Sequence, residues 1–289
     1  MTYRLDPRHP VVWRSPDSIQ VGIDRPLVVI TAVSDGLERV LAALFVGVPR
    51  SGALMIGREG GASDEAILEL LGALRPALLV TDETLPSTAP LSMEASPEQD
   101  AAPRAVCVDG AGPTGALIGS MLGTLGLRLT GADDPGTGLA VVVGHYALEP
   151  ERHGHWLRRD IPHLPVVFSD SEVRIGPLVE PGVGPCLYCL ELAHLDSDPA
   201  WAAIACQLLS RRAPTEAPRV SLDVAALVAG ISHDRLVLGR STLAESALVI
   251  DAASGALTRR DYRPHERCGC RIVPGNVAVL PEVGLAERL

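Results

Sequence analysis

The sequence has no lysine. All 25 of its basic residues are arginine, in a chain of 289. Schiff-base chemistry on a lysine amine is therefore excluded, and no ammonium is available to hold a nucleotide phosphate. Aromatic residues make up only 3% of the chain, so the core must be built from Ala, Val, Leu and Ile. Positive charge is in deficit: 35 acidic groups against 25 basic ones leave a formal net charge of -10. That argues against nonspecific nucleic-acid binding, whose affinity comes from neutralising phosphates. The arginine pairs at 158–159 and 211–212 read as solvated surface. Long apolar runs are missing too. No stretch of about 18 apolar residues occurs, and the opening MTYRLDPRHPVVW lacks the apolar segment of a signal peptide. The expectation is a cytoplasmic protein without membrane contact. In a reducing compartment its six cysteines are thiols or metal ligands rather than disulfides.

The length suggests two domains. In residues 1–85, VVW at 11–13, IQVGI at 19–23 and LVVIT at 27–31 read as short strands. DGLERVLAALF places Leu37, Val40, Leu41, Leu44 and Phe45 on one helical face. GVPRSGALMIGREGG leaves room for a short second helix. SDEAILELLGAL predicts a third, with Ser63 as N-cap and Ile67, Leu70, Leu71 and Leu74 as its buried stripe. A small winged-helix unit fits this β-β-β-α-α-α order. Residues 86–103, PSTAPLSMEASPEQDAAP, are proline-rich and poor in large apolar groups, and read as a linker.

From 104 to 289 the pattern becomes α/β. RAVCVDGAGPTGALIGSMLGTLG is strand, glycine turn, helix; LRLTGADD and LAVVVGH follow as strands. LPVVFSD predicts a further strand. DSDPAWAAIACQLLSRR predicts a helix capped by Asp198, with Trp201, Ile204, Ala205, Leu208 and Leu209 as its stripe. VSLDVAALVAGIS predicts another helix, ALVIDAASGALTRRDY a hairpin around Ser254-Gly255, and RIVPGNVAVL a last strand.

Gly110, Gly112 and Gly115 form G-x-G-x-x-G between strand and helix, with Asp133 and Asp134 about 20 residues on, where a ribose-binding acid would sit. The motif predicts a Rossmann-like fold. Nucleotide binding is a separate question, weakened by Pro113 in the turn and by the missing lysine. Cys186-x-x-Cys189 and Cys268-x-Cys270 offer four thiolates. Their spacing suits a closed, structural zinc site; metal-free thiols and a redox pair are the alternatives, the latter without the βαβ context such a pair uses. Cys107 and Cys206 read as core residues. His145, His153, His155 and His163 read as surface or packing groups.

Several stretches together resemble the ThiF-like partner proteins of thiazole/oxazole-modified peptide biosynthesis. They are Pro162-His163-Leu164-Pro165, Gly176-Pro177-Leu178-Val179, Pro185-Cys186 with Cys189, and Asp198-Pro199-Ala200-Trp201 with Gln207-Leu208; WRSPDSIQVGID is similar to the start of the family's PqqD-like recognition module. The resemblance implies a ThiF-type α/β domain with a structural zinc, preceded by a winged-helix module that binds the leader of a ribosomal precursor peptide. It further implies a YcaO-type ATP-dependent cyclodehydratase as partner, pairing into homodimers, and a scaffold without catalysis of its own. The peptide edge implied is Leu27, Val28, Val29, Ile30 and Thr31, facing a helix that carries Ile67, Leu70 and Leu71. ATP binding at Gly110, Gly112, Gly115 and Asp133 is then degenerate. Cys268-x-Cys270 departs from the doubled C-x-x-C of adenylylating relatives. An ATP-dependent adenylylating enzyme is the first alternative and an NAD-dependent oxidoreductase the second.

Overall fold

A computed structural model describes residues 2–81 and 105–270. The first segment holds β1 (Thr2–Leu5), β2 (Val11–Ser15), β3 (Ser18–Val21), β4 (Val28–Ile30), α1 (Asp35–Val46), β5 (Val48–Pro49), α2 (Arg50–Glu59), α3 (Asp64–Ala73) and β6 (Leu78–Thr81). The three strands and three helices expected from sequence are all present. β2, β3 and β4 form an antiparallel sheet in that order. Ser63 caps α3 through its Oγ, which accepts the Ala66 N–H, and Ile67, Leu70, Leu71 and Leu74 are buried.

Three details differ from expectation. Phe45 is 53% exposed; α1 meets the core through Leu37, Val40, Leu41 and Leu44. The strand starting at Ile19 stops at Val21, where Gly22 turns the chain with φ 85°. A second small sheet, β5-β1-β6, was not expected. Its strands are two to four residues long, too short to show a period.

The second segment holds β7 (Ala105–Asp109), α4 (Pro113–Thr124), β8 (Arg128–Thr130), β9 (Leu139–His145), α5 (Pro150–Arg158), β10 (His163–Phe168), β11 (Glu172–Ile175), α6 (Leu187–Ser197), α7 (Trp201–Leu208), α8 (Pro218–Val237), β12 (Ser246–Asp251) and β13 (Leu257–Asp261). They build one mixed sheet, ordered β13-β12-β11-β10-β9-β7-β8. β8, β7, β9 and β10 are mutually parallel, the Rossmann-like half expected from the glycine turn. β11, β12 and β13 extend it antiparallel, so only half of the sheet follows the parallel Rossmann-like pattern. The β12–β13 hairpin turns near Gly255 as expected. α8 packs against α4 on one face. The other face carries α5, with Trp156 fully buried, and the start of α6.

The helix expected from Asp198 onward is shorter: α6 ends at Ser197 and α7 begins at Trp201. Ile204 and Leu208 turn inward, while Leu209 lies outside. Cys206 is exposed rather than core, because two residues past Ile204 is about 200° around a helix. Cys107 is buried as expected, and burial pushes its thiol up to about 11. The stretches expected to be an interdomain linker, 86–103, and a last strand, RIVPGNVAVL, lie outside the described residues. Among the described residues, no helix is long and apolar enough to cross a membrane.

Candidate functional site

The geometry singles out three places: the edges of the β2–β3–β4 sheet, the glycine crevice, and the four-thiol cluster.

The two outer edges of the small sheet are unequal. β2 is covered by α7. Trp13 N–H donates to Gln207 Oε1 at 2.9 Å, and Gln207 Nε2 donates back to Trp13 O at 2.7 Å. Arg211 Nη1 reaches Val11 O at 3.3 Å. Arg14 adds a two-pronged contact to Asp198, 2.8 Å in each prong. Half-exposed as it is, that pair contributes roughly 1 kcal/mol, so its main effect is to set the docking angle. Asp198 and Gln207, which sequence reading valued only as family markers, thus hold the first segment to the second.

β4 pairs with β3 on one side and with no strand on the other among the described residues. α3 lies beside it. Val28 and Ile30 pack into the core of the first segment. Leu27 and Val29 are 37% and 47% exposed. Val29 borders a 480 Å³ cleft between the segments, lined also by Gln20, Tyr146, Arg174 and Trp201. Thr31 is exposed at the end of the strand. Ile67, Leu70 and Leu71 are buried under this edge, and Leu68 is the α3 residue that shows apolar surface.

In the crevice the glycines are required by packing. A Cβ on Gly110 would fall 2.6 Å from Val143 Cβ, and one on Gly115 would fall 2.5 Å from Gly110 O. The N-terminus of α4, where a phosphate would sit in a nucleotide-binding protein, is filled from within. Glu216 Oε1 accepts the Thr114 hydroxyl at 2.9 Å and the Thr114 N–H at 3.4 Å. The Glu216 side chain is 5% exposed, with His145 Nε2 and Arg212 Nη1 each 3.5 Å from Oε2. Burial holds His145 below its ordinary value, against the pull of Glu216. A phosphate here would meet a buried carboxylate at the same donors, a repulsion large enough to outweigh the helix dipole.

Arg152 closes the floor, donating to Asp109 O, Asp109 Oδ1 and Val143 O at 2.7–2.9 Å. Asp133 is exposed, and Asp134 is engaged by Arg128 and by the Gly136 N–H. Glu216 and Arg152 carried no sequence signal; Glu216 lies 102 residues from the helix it caps. Removing the plug should reveal the anion site beneath it. Glu216→Ala is expected to gain a few degrees in thermal midpoint in millimolar phosphate, and the unsubstituted chain none; differential scanning fluorimetry checks this.

The sequence pairs Cys186, Cys189, Cys268 and Cys270 come together, with their Sγ atoms all within 4.8 Å of one another. Tetrahedral zinc with 2.3 Å bonds sets sulfurs about 3.8 Å apart. The observed separations are 3.8 Å (Cys186–Cys189), 3.6 Å (Cys186–Cys268) and 3.5 Å (Cys189–Cys270), so the donor set fits a metal ion. Cys186 is the N-cap of α6, where the helix dipole favours thiolates. The cluster ties α6 to the loop after β13. Asp196, near the other end of α6, grips the same loop through His265 at 2.8 Å and through Arg267.

These features define an α/β chain with a Rossmann-like half-sheet, a four-cysteine metal-type cluster and a small N-terminal unit docked on α7. No family model and no curated protein matches it. Solved structures that overlay on it include the heterocyclase TruD, 17% identical over 93% of this chain and 42% of that one, with a TM-score of 0.43. The E. coli microcin synthetase McbBCD complex is 12% identical over 93% and 100%, at 0.44. E. coli MccB with ATP is 11% identical over 93% and 99%, at 0.41. The chain spans about two fifths of the length of the heterocyclase chains it overlays, 42% and 39%.

Proposed function

We propose that this chain is a recognition subunit that binds the leader region of a ribosomally made precursor peptide and presents it to a YcaO-type ATP-dependent cyclodehydratase for azoline or azole formation. The observation that carries this reading is the unequal pair of sheet edges. β2 is capped by Gln207 and Arg211, whereas β4 keeps an uncovered edge beside α3 among the described residues. An extended peptide added there gains main-chain hydrogen bonds, and its alternate side chains meet α3 on one face and the cleft under Val29 on the other. The residue motifs that resemble ThiF-like partner proteins support the same assignment. In it the four thiolates hold a structural zinc, closed to substrate by its four protein ligands.

The adenylylating alternative needs a phosphate at the α4 N-terminus, where Glu216 already sits; ATP–pyrophosphate exchange with candidate peptides is its test. A dinucleotide enzyme needs the same place, and dinucleotide fluorescence titration tests it.

The direct experiment is fluorescence anisotropy of labelled precursor peptides encoded beside the gene, titrated with the full chain. Saturable binding that maps to the leader is expected. No binding to any of them would sink the reading.

A further inference from the structure

The turn that joins β3 to β4 is held by a pair of carboxylates that cap each other's loops. Asp170, in the turn between β10 and β11, accepts the Ile23 N–H at 2.7 Å on Oδ2 and the Asp24 N–H at 3.2 Å on Oδ1. Asp24 answers from the other segment. Its Oδ2 accepts the Ser171 N–H at 3.1 Å, the Ser171 hydroxyl at 3.2 Å and the Glu172 N–H at 3.0 Å. Gly22 lets the two turns approach: a Cβ there would lie 3.3 Å from Asp170 Oδ2, at a φ of 85° that side chains resist. Asp170 is 7% exposed.

We propose that Asp24 and Asp170 form a clasp, closed by one shared proton, that locks the β3–β4 turn, and through it the β4 edge, onto the C-terminal segment. The Ser171 N–H, Ser171 hydroxyl and Glu172 N–H all fall on Asp24 Oδ2, which leaves Oδ1 for the proton; the buried Ser169 hydroxyl beside this carboxyl pulls the other way and favours its charged form. A buried carboxylate and a half-buried one, this close, cannot both ionise without mutual repulsion.

The surroundings favour the protonated state. Burial, and then the charge of Asp170, raise Asp24 to about 7. His9 Nδ1 stands 3.8 Å from Asp170 Oδ2 and, when charged, steadies that carboxylate. Tyr146 borders the pair, and burial holds its phenol above the ordinary range. Glu172 is turned to Arg260 at 3.0 Å, and Arg25 to Asp251 at 3.9 Å, so neither supplies an uncompensated charge. Because the folded value of Asp24 lies above the unfolded one, its stabilisation is complete below about pH 4 and is lost as pH rises through about 7.

Asp24 and Asp170 are positioning residues. The role of β4 as a peptide edge rests on the strand-addition reading; the clasp itself does not. Hydrogen exchange of the full chain, without peptide and corrected for intrinsic rates, reads it directly. Amides of 22–30 and 169–173 are expected to lose at least tenfold protection between about pH 5.5 and about pH 8, and elsewhere to stay level. In Asp24→Asn, which supplies a permanent donor to Asp170, protection is expected to hold at both values. Asp24→Ala, which removes the titrating carboxyl, serves if the first variant folds poorly: its protection is expected to be lower but independent of pH over the same range. Level protection in the unsubstituted chain, or an undiminished pH response in both variants, overturns the clasp. Because no peptide is present, failure of the strand-addition reading leaves both expected results unchanged.

Discussion

Cys189→Ser lowers the thermal midpoint of the protein by about 10 °C, and a strong chelator does the same to the unsubstituted chain. The expectation follows from where the cluster sits. Cys186 and Cys189 open α6, and Cys268 and Cys270 lie in the loop after β13. The edge hairpin leans on the rest of the sheet through β11 alone, and β13 is exposed along its whole length. A bound metal therefore closes a loop of about 80 residues and pins the loop after β13, which Asp196 otherwise grips through His265 and Arg267. Losing one of four ligands forfeits several kcal/mol, and a domain of this size shifts by about 2–4 °C per kcal/mol. Metal analysis should give about one zinc per chain, set by four thiolates around one ion. The exposed Cys206→Ser is the control and should change the midpoint by less than a degree or two. An unsubstituted protein that is metal-free by analysis yet melts well above Cys189→Ser, or that keeps its midpoint in a strong chelator, would refute the site.

Proline at the outward-facing residue of β4 reduces peptide affinity by about 30-fold or more. Successive residues of an antiparallel strand send their N–H groups to opposite neighbours. Of Val28 and Val29, one therefore bonds β3 and the other faces the open edge. Proline at the outward position deletes a donor and puts a ring against the incoming strand, together about 2–3 kcal/mol. Proline at the inward position breaks the β3 pairing and lowers stability instead. Parallel melting curves and anisotropy titrations separate the two. Equal affinity for both variants and the unsubstituted chain would remove β4 as the binding edge.

Much of this was legible in the sequence. The α3 stripe at Ile67, Leu70, Leu71 and Leu74 repeats at helical spacing, and the Ser63 cap and acidic first turn mark its start. The glycine turn and the four cysteines were legible because their chemistry demands fixed residue types at fixed spacing. What escaped has no such local grammar. Glu216 finds Thr114 across 102 residues, Asp24 finds Ser171 across 147, and Gln207 finds Trp13 across 194. Each is a common polar residue whose meaning appears only when the chain has closed. The half-antiparallel sheet escaped for a related reason: β11 is only four residues, EVRI, and its direction is set by the Asp170 turn rather than by its own pattern.

The capped edge of β2 also fixes a number. A sheet with two free sides can grow in both directions, chain upon chain, as aggregating strands do. With Gln207 and Arg211 holding β2 shut, growth of this sheet has one direction, outward from β4. Under the strand-addition proposal the valence of the docked unit is one: a single edge, and so a single first site, per chain.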